Sequence, residues 1–262
     1  MFKQRIITVI IGLPVLILIA YKGTWVLLLG LLALLILGMS EYIEIVKKAG
    51  YGALEKAMYI CGTLLLLEAY FWQGQQTALF SFIIFLVLTY QWLLQKQVSS
   101  VSALSVSFLG IIYLSLFKYV LLLRALPEGF LLVIIIFLLT WMVDTGAYFF
   151  GSLFGKNKLA PNISPNKTKE GAVGGFFSTI LVALVIHFTI FPMGIINAVL
   201  LGSLIACIGQ TGDMFESLLK RKAHIKDSGK IFPGHGGILD RFDSILFTVP
   251  AAYYFLTLVL LT

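Results

Sequence analysis

Residues 27–38 read LLLGLLALLILG, an unbroken apolar run that contains no charged side chain. A strand of a membrane barrel would alternate apolar and polar residues with a period of two, and this run does not. Lipid offers no partners for backbone amide groups, so a segment that crosses a bilayer must satisfy them internally, as a helix does. The run therefore predicts a membrane-spanning helix.

Similar apolar runs recur along the whole chain. Of its 262 residues, 60% are hydrophobic and 12% are charged, and the mean hydropathy is +1.00. Runs of about 17–22 residues are long enough, at ~1.5 Å rise per residue, to cross a hydrocarbon core of ~30 Å. We expect an all-α fold, a polytopic membrane helical bundle of about nine transmembrane helices. They are predicted near residues 5–21, 24–40, 55–72, 77–95, 104–124, 130–150, 172–191, 195–212 and 238–260.

The distribution of cations predicts the orientation of these helices. With nine spans and a cytoplasmic N-terminus, 16 of the 19 Lys and Arg residues fall on the cytoplasmic side, and Lys22, Lys118 and Arg124 fall outside. An even number of spans would break this segregation. We therefore expect a multi-pass protein of the cytoplasmic membrane. Its net charge of +7 lies mostly beside anionic lipid headgroups, which requires no nucleic-acid partner.

Charge is also concentrated along the chain. The segment from Asp213 to Asp243 holds 11 of the 31 charged residues. We predict that residues 1–128 form N-terminal transmembrane helices that act as a scaffold, and we assign no chemistry to them. Residues 129–262 are the predicted catalytic region, with cytoplasmic loops at residues 151–171 and 213–237.

The first of these loops reads GKNKLAPNISPNKTKEGAVGG over residues 155–175 and follows a span that carries Asp144 near its cytoplasmic end. Its lysines lie beside the predicted N-terminus of the next helix, where free amide groups and the helix dipole favour anions. We interpret the loop as a phosphate cradle; the alternative is an ordinary positively charged cytoplasmic loop. The candidate substrate-binding residues are Ser164, Asn166, Lys167, Thr168, Lys169 and Glu170.

The second loop brings carboxylates to the ends of two helices. Asp213 and Glu216 are three residues apart, as are Asp240 and Asp243, so each pair shares a helix face. Asp213 lies at the end of one predicted span, and Asp240 lies at the start of the next. Carboxylates gathered in this way repel each other, and Mg²⁺ commonly takes one or two of them together with substrate phosphates. A network of surface salt bridges is the alternative.

Residues 217–243, SLLKRKAHIKDSGKIFPGHGGILDRFD, resemble the signature of the phosphatidate cytidylyltransferases, also called CDP-diacylglycerol synthases. The shared pattern is Ser-x-apolar-Lys-Arg, four free positions, Lys-Asp, His-Gly-Gly and Asp-Arg-x-Asp. DTGAYFFG at 144–151 and ISPNKTKEG at 163–171 are also similar to segments of that family. The resemblance covers roughly the C-terminal half of the chain.

This resemblance implies a Mg²⁺-dependent nucleotidyltransferase that converts CTP and phosphatidic acid to CDP-diacylglycerol and pyrophosphate. It also implies a monovalent cation such as K⁺ as a second cofactor. The implied partners are membrane lipids, and a second copy of the chain in a homodimer is a further candidate. A phosphate oxygen of the lipid can attack the α-phosphorus directly, so catalysis needs positioning and charge neutralisation but no enzyme nucleophile.

The expected site residues fall into two further groups. Asp213 and Asp240 are the predicted metal ligands, with Asp243 and Asp144 as secondary candidates. Lys220, Arg221 and Lys226 are predicted to neutralise phosphate charge, and Arg241 joins them as a catalytic candidate. His235 is predicted either to orient a phosphate or transfer a proton, or else to stabilise its turn.

Two other function classes compete with this interpretation. An ion-coupled transporter would spread acids through the bilayer depth, whereas seven of the twelve acids lie at or after Asp144, at predicted cytoplasmic helix ends. A membrane phosphotransferase acting on another lipid phosphate is chemically closer, but the chain lacks the Asp-Gly-x-x-Ala-Arg segment typical of enzymes that act on CDP-alcohols.

Overall fold

The protein is described by a computed structural model over residues 2–94, 101–231 and 236–260. It is a polytopic helical membrane protein, as predicted. The α-helices within these ranges are α1 (Phe2–Lys22), α2 (Thr24–Lys48), α3 (Glu55–Trp72), α4 (Thr77–Leu94), α5 (Val101–Ser115), α6 (Lys118–Ala125), α7 (Gly129–Phe154), α8 (Lys169–Thr189), α9 (Ile195–Lys222) and α10 (Leu239–Phe255). A π-helical turn, Leu256–Leu260, follows α10.

Seven stretches within the described ranges are long and apolar enough to cross a membrane by length and composition. They are α2, α4, α5 with α6, α7, α8, α9, and α10 with the π-helical turn. Helix α3 is not among them, and its sequence carries Glu55, Lys56 and Glu68 within 18 residues. Each predicted span overlaps a helix, except that the span at 104–124 is divided between α5 and α6. The count of nine and the orientation stay predictions.

The first of two compact units comprises Met1–Phe130 and Leu219–Phe242. Within it, α3 packs against α2, α4, α5 and α6. Its apolar core includes Leu35, Met58 and Leu114, all completely buried. The segment Leu219–Phe242 contains most of the charged signature, so this part of the predicted catalytic region packs with the N-terminal helices.

One buried carboxylate in this unit is paired across helices. Glu68 on α3 is completely buried, and its Oε2 lies 3.8 Å from Lys118 Nζ on α6. Its Oε1 accepts hydrogen bonds from the backbone of Gln76 and the hydroxyl of Thr77. Glu68 is therefore a helix-paired carboxylate that ties α3 to its neighbours.

The second unit comprises Leu131–Leu218 and Asp243–Thr262. The Thr140 hydroxyl on α7 lies 2.8 Å from the Thr248 hydroxyl on α10. Gln210 on α9 donates a hydrogen bond to the carbonyl of Ala172 on α8, at 3.2 Å. These polar contacts join helices that are otherwise mostly apolar, because buried polar groups need hydrogen-bond partners.

The polar segments of the chain are more regular than the sequence suggested. The loop after α7 contains a two-stranded antiparallel hairpin, β1 (Lys158–Ala160) and β2 (Ser164–Thr168), in which Lys158 pairs with Thr168. Helix α9 continues to Lys222, past the predicted end near residue 212. Its last turn holds Lys220, Arg221 and Lys222, cations that a helix C-terminus favours.

Candidate active site

The hairpin is fixed to the start of α8 by local hydrogen bonds. Thr168 is extended and caps α8, since its hydroxyl accepts a hydrogen bond from the amide of Gly171 at 3.1 Å. Glu170 accepts hydrogen bonds from the Asn157 side chain at 2.7 Å and from the backbone amide of Lys156 at 3.1 Å. These two predicted substrate-binding residues therefore hold the hairpin against the helix.

Lys167 extends from β2 towards α9, where its Nζ forms an ion pair with Oδ2 of Asp213. The other carboxylate oxygen, Oδ1, accepts a hydrogen bond from the Ser217 hydroxyl at 3.3 Å. The side chains of Lys167 and Asp213 are 27% and 24% exposed, so both are accessible to solvent. The structure thus brings together one residue from each of the two predicted loops.

Helices α9 and α10 approach closely beside Asp213. A methyl group added to Gly212 would lie 2.7 Å from the carbonyl oxygen of Asp243, too near for any side chain. One turn earlier on α9, the carbonyl of Gly209 accepts a hydrogen bond from Ser244 at 3.1 Å. Asp213 therefore follows a residue whose backbone lies against that of Asp243.

In the first unit, Asp240 is surrounded by hydrogen-bond donors. Its Oδ1 accepts from Lys220 Nζ at 2.6 Å, and the two side chains are only 8% and 11% exposed. Its Oδ2 accepts from the amide of Ser228 at 2.8 Å, the hydroxyl of Ser228 at 2.9 Å and the amide of Gly237 at 2.8 Å. Both oxygens of this carboxylate therefore accept hydrogen bonds from groups of the protein.

Most of the remaining predicted residues are half-buried or exposed. Arg221 donates a hydrogen bond to the carbonyl of Ile225 at 2.9 Å and so closes the turn after α9. Ser164 is half-buried, His235 lies outside the described residues, and the other candidates are exposed. These exposed residues are Asp144, Asn166, Lys169, Lys226 and Arg241.

No group of three or more His, Cys, Asp or Glu side chains in the described ranges is arranged as a metal-binding cluster. Mg²⁺ does not require one, because it commonly binds one or two carboxylates and completes its shell with water and substrate phosphates. The backbone of Asp243 on α10 lies against Gly212, the residue before Asp213 on α9. Asp213 and Asp240 fall in different units, so the metal site predicted between them stays a prediction.

A family model described as the cytidylyltransferase family matches residues 3–259, nearly the whole chain. This chain belongs to the cytidylyltransferase family. The match extends well beyond the C-terminal half that carried the resemblance, and it includes the helices to which the sequence interpretation assigned no chemistry.

Three curated relatives of this cytidylyltransferase are named phosphatidate cytidylyltransferase. The protein of Staphylococcus epidermidis is 38% identical over 256 residues, which cover 95% of this chain and 96% of that protein. The Staphylococcus aureus and Staphylococcus saprophyticus proteins are 37% and 36% identical over the same shares of each chain. The similarity is thus full-length on both sides.

The sequence interpretation of this cytidylyltransferase missed Glu41 and Ser228, which adjoin Asp240. Glu41 lies on α2 and is 4% exposed, and its Oε2 accepts a hydrogen bond from the Ser228 hydroxyl at 2.9 Å. One feature of the sequence pattern could have identified Glu41 as a functional candidate. Glu41 shares the helix face of the buried residues Leu31, Leu35 and Gly38, and an acid on an apolar face of a membrane helix indicates a specific role.

Proposed function

We propose that this protein transfers the cytidylyl group of CTP to phosphatidic acid, giving CDP-diacylglycerol and pyrophosphate. Full-length similarity to proteins named phosphatidate cytidylyltransferase, at 36–38% identity, carries this proposal. A phosphate oxygen of the lipid forms a bond to the α-phosphorus of CTP. The bond from that phosphorus to the bridging oxygen breaks, and pyrophosphate leaves with the bonding electrons.

The chain's own contribution to this reaction is to position anions and neutralise their charge. Lys167 forms an ion pair with Asp213 but stays partly exposed, so its ammonium group can exchange the carboxylate for a substrate phosphate. Lys220 is fixed by Asp240 at the end of α9. The exposed Lys169, Lys226 and Arg241 add positive charge for the approach of CTP and the lipid headgroup.

We also propose that Mg²⁺ is the cofactor of this reaction. Asp213 and Asp243 would hold it, since Asp213 is partly exposed and adjoins the α10 backbone at Asp243. When bound, the ion would neutralise negative charge on the triphosphate. Asp240 fits less well as a ligand, because Lys220, the amides of Ser228 and Gly237 and the hydroxyl that Ser228 shares with Glu41 already surround its oxygens.

The proposed location is the cytoplasmic membrane, with the hairpin and the end of α9 facing the cytoplasm, where CTP is available. The support for this orientation is the segregation of cations in the sequence. Asn166, at the hairpin, and Lys222, at the end of α9, are both exposed and suit labelling.

Single cysteines are introduced at Asn166 or Lys222 in a background where Cys61 and Cys207 are replaced. We expect them to react with a membrane-impermeant thiol reagent in inverted vesicles, where the cytoplasmic side is accessible, and not in intact cells. A cysteine at Glu128, which is exposed before α7, is expected to react from outside. The measurement is labelling in intact cells and in inverted vesicles. Labelling of Asn166→Cys from outside intact cells would overturn the orientation.

Lys167→Ala is expected to lower kcat/KM by about 10- to 100-fold, because a charge-assisted phosphate contact contributes ~1.5–3 kcal/mol. Lys158→Ala is the matched control, since Lys158 is an exposed lysine on the other strand of the same hairpin. It is expected to stay within about twofold of the parent protein. Equal kinetics for the two variants would mean that Lys167 contacts no phosphate in the reaction.

The test of the function is a transfer assay with purified protein, CTP and a panel of lipid acceptors. We expect a CDP-lipid from phosphatidic acid, and none from diacylglycerol, which lacks the attacking phosphate. Product from a polyprenyl phosphate and none from phosphatidic acid would favour another membrane transferase. No lipid product from any acceptor would refute the proposed activity.

A further inference from the structure

A carboxylate from α2 holds the loop that connects α9 and α10, although the two segments are far apart in sequence. Glu41 Oε1 accepts a hydrogen bond from the amide of Ile238 at 2.9 Å, and Oε2 accepts one from the amide of Leu239 at 3.0 Å. Helix α10 begins at Leu239, so these are amides at its N-terminus that lack intrahelical partners. Glu41 therefore caps α10 from a different helix.

Ser228 links this carboxylate to Asp240. Its hydroxyl oxygen lies 2.9 Å from Glu41 Oε2 and 2.9 Å from Asp240 Oδ2. A hydroxyl has one hydrogen and therefore donates to one carboxylate at a time, while its position is fixed by both. Asp240 in turn binds Lys220, so a chain of direct contacts runs from Glu41 to a cation of the signature.

The backbone at Gly229 and at Gly237 lies close against the Glu41 carboxylate. A Cβ atom added to Gly229 or to Gly237 would overlap Glu41 Oε1. At these two positions, the group that approaches is a side chain of the protein itself, and it is 4% exposed.

We infer that Glu41 is a positioning residue for cytidylyl transfer: through the α10 N-terminus and Ser228, it keeps Asp240 and Lys220 in their working arrangement. This inference rests on the proposed function, because positioning is measured through that reaction. Glu41 acts through other residues, since a carboxylate enclosed by the loop backbone does not touch CTP or the lipid headgroup.

Glu41→Gln is expected to lower kcat by about 10- to 100-fold, because small displacements of groups that position a reaction have effects of that size. The three donors around Glu41 require acceptors, and glutamine offers one oxygen and an NH₂ group that faces a donor. Glu44→Gln is the matched control, since Glu44 is one turn along α2, exposed, and paired with Lys48 on the same helix. It is expected to keep kcat within about twofold.

A second readout does not depend on activity. Hydrogen exchange of the Ile238 and Leu239 amides, followed by mass spectrometry, is expected to become faster in Glu41→Gln and to stay unchanged in Glu44→Gln. If Glu41→Gln showed faster exchange but normal kcat, the positioning role would be wrong, and Glu41 would serve only to cap helix α10. If the parent protein lacks transferase activity, the proposed function fails, whereas exchange still reports whether Glu41 holds the loop.

Ser228→Ala keeps the inference testable if Glu41→Gln does not fold. It removes the hydroxyl between the two carboxylates and leaves both bonds from Glu41 to the α10 amides in place. We expect kcat to fall about 10-fold or more, as for loss of a hydrogen bond to a charged group, with little change in the KM for CTP. Normal kcat in Ser228→Ala would contradict the linkage.

Discussion

Asp213→Asn is expected to lower kcat by about 100-fold or more, in the range observed when one stabiliser of transition-state charge is removed. Asparagine keeps the shape of the side chain and can still accept a hydrogen bond from Ser217, but it loses the charge that holds Lys167. It also weakens the proposed Mg²⁺ site beside Asp243. Activity should therefore recover in part when Mg²⁺ is raised, because occupancy follows mass action.

The measurement is initial rate against Mg²⁺ concentration at saturating CTP. Thr211→Val is the control, since Thr211 is exposed on the same turn of α9 and its hydroxyl donates a hydrogen bond to the carbonyl of Cys207 on its own helix. It is expected to match the parent protein at every Mg²⁺ concentration. Near-normal kcat for Asp213→Asn at limiting Mg²⁺ would rule out Asp213 as a ligand.

Asp240→Asn is expected to lower kcat by at least about 100-fold, without recovery at high Mg²⁺. Its carboxylate accepts hydrogen bonds from Lys220, Ser228 and Gly237 at once, and an amide, with only one oxygen, cannot accept from all of these donors. Loss of one partner of a buried ion pair also costs ~3–5 kcal/mol of folding stability. A lower unfolding temperature should therefore accompany the loss of activity.

The outcome at Asp240 decides between two roles. The sequence predicted a metal ligand, whereas the observed contacts describe an anchor for the loop. Recovery of Asp240→Asn by Mg²⁺ would support the ligand, and a lasting loss with reduced thermal stability would support the anchor. Glu44→Gln, which removes one exposed carboxylate of the same unit, controls for the change in net charge.

The helices could be predicted well from the sequence because lipid permits few alternatives for a long apolar run. The run at residues 27–38 lies within α2, and the break at Gly23 separates α1 from α2, as the hydropathy pattern predicts. The ends of helices were less predictable. Helix α9 extends to Lys222 because its polar last turns are built from good helix formers such as Leu219 and Lys220.

The candidate site was predicted in part. The charged loops and their lysines and acids could be recognised, but their partners could not. Lys167 pairs with Asp213, and Glu41 bonds to Ser228, a residue 187 positions away in the chain. Such pairings depend on tertiary packing, and charge and spacing alone carry no information about it. The hydrogen bond between Glu170 and Asn157 at the base of the hairpin could not be predicted for the same reason, and the substrate-binding role of Glu170 stays a prediction.

The most direct test of the proposed reaction follows the phosphorus atoms of CTP. Purified protein is incubated with phosphatidic acid and with CTP radiolabelled at either the α- or the γ-phosphate, and the lipid and aqueous phases are then separated. Cytidylyl transfer predicts that α-label enters the lipid as CDP-diacylglycerol, while γ-label stays in the aqueous phase as pyrophosphate. Entry of γ-label into the lipid, or no label in the lipid from either nucleotide, would contradict it.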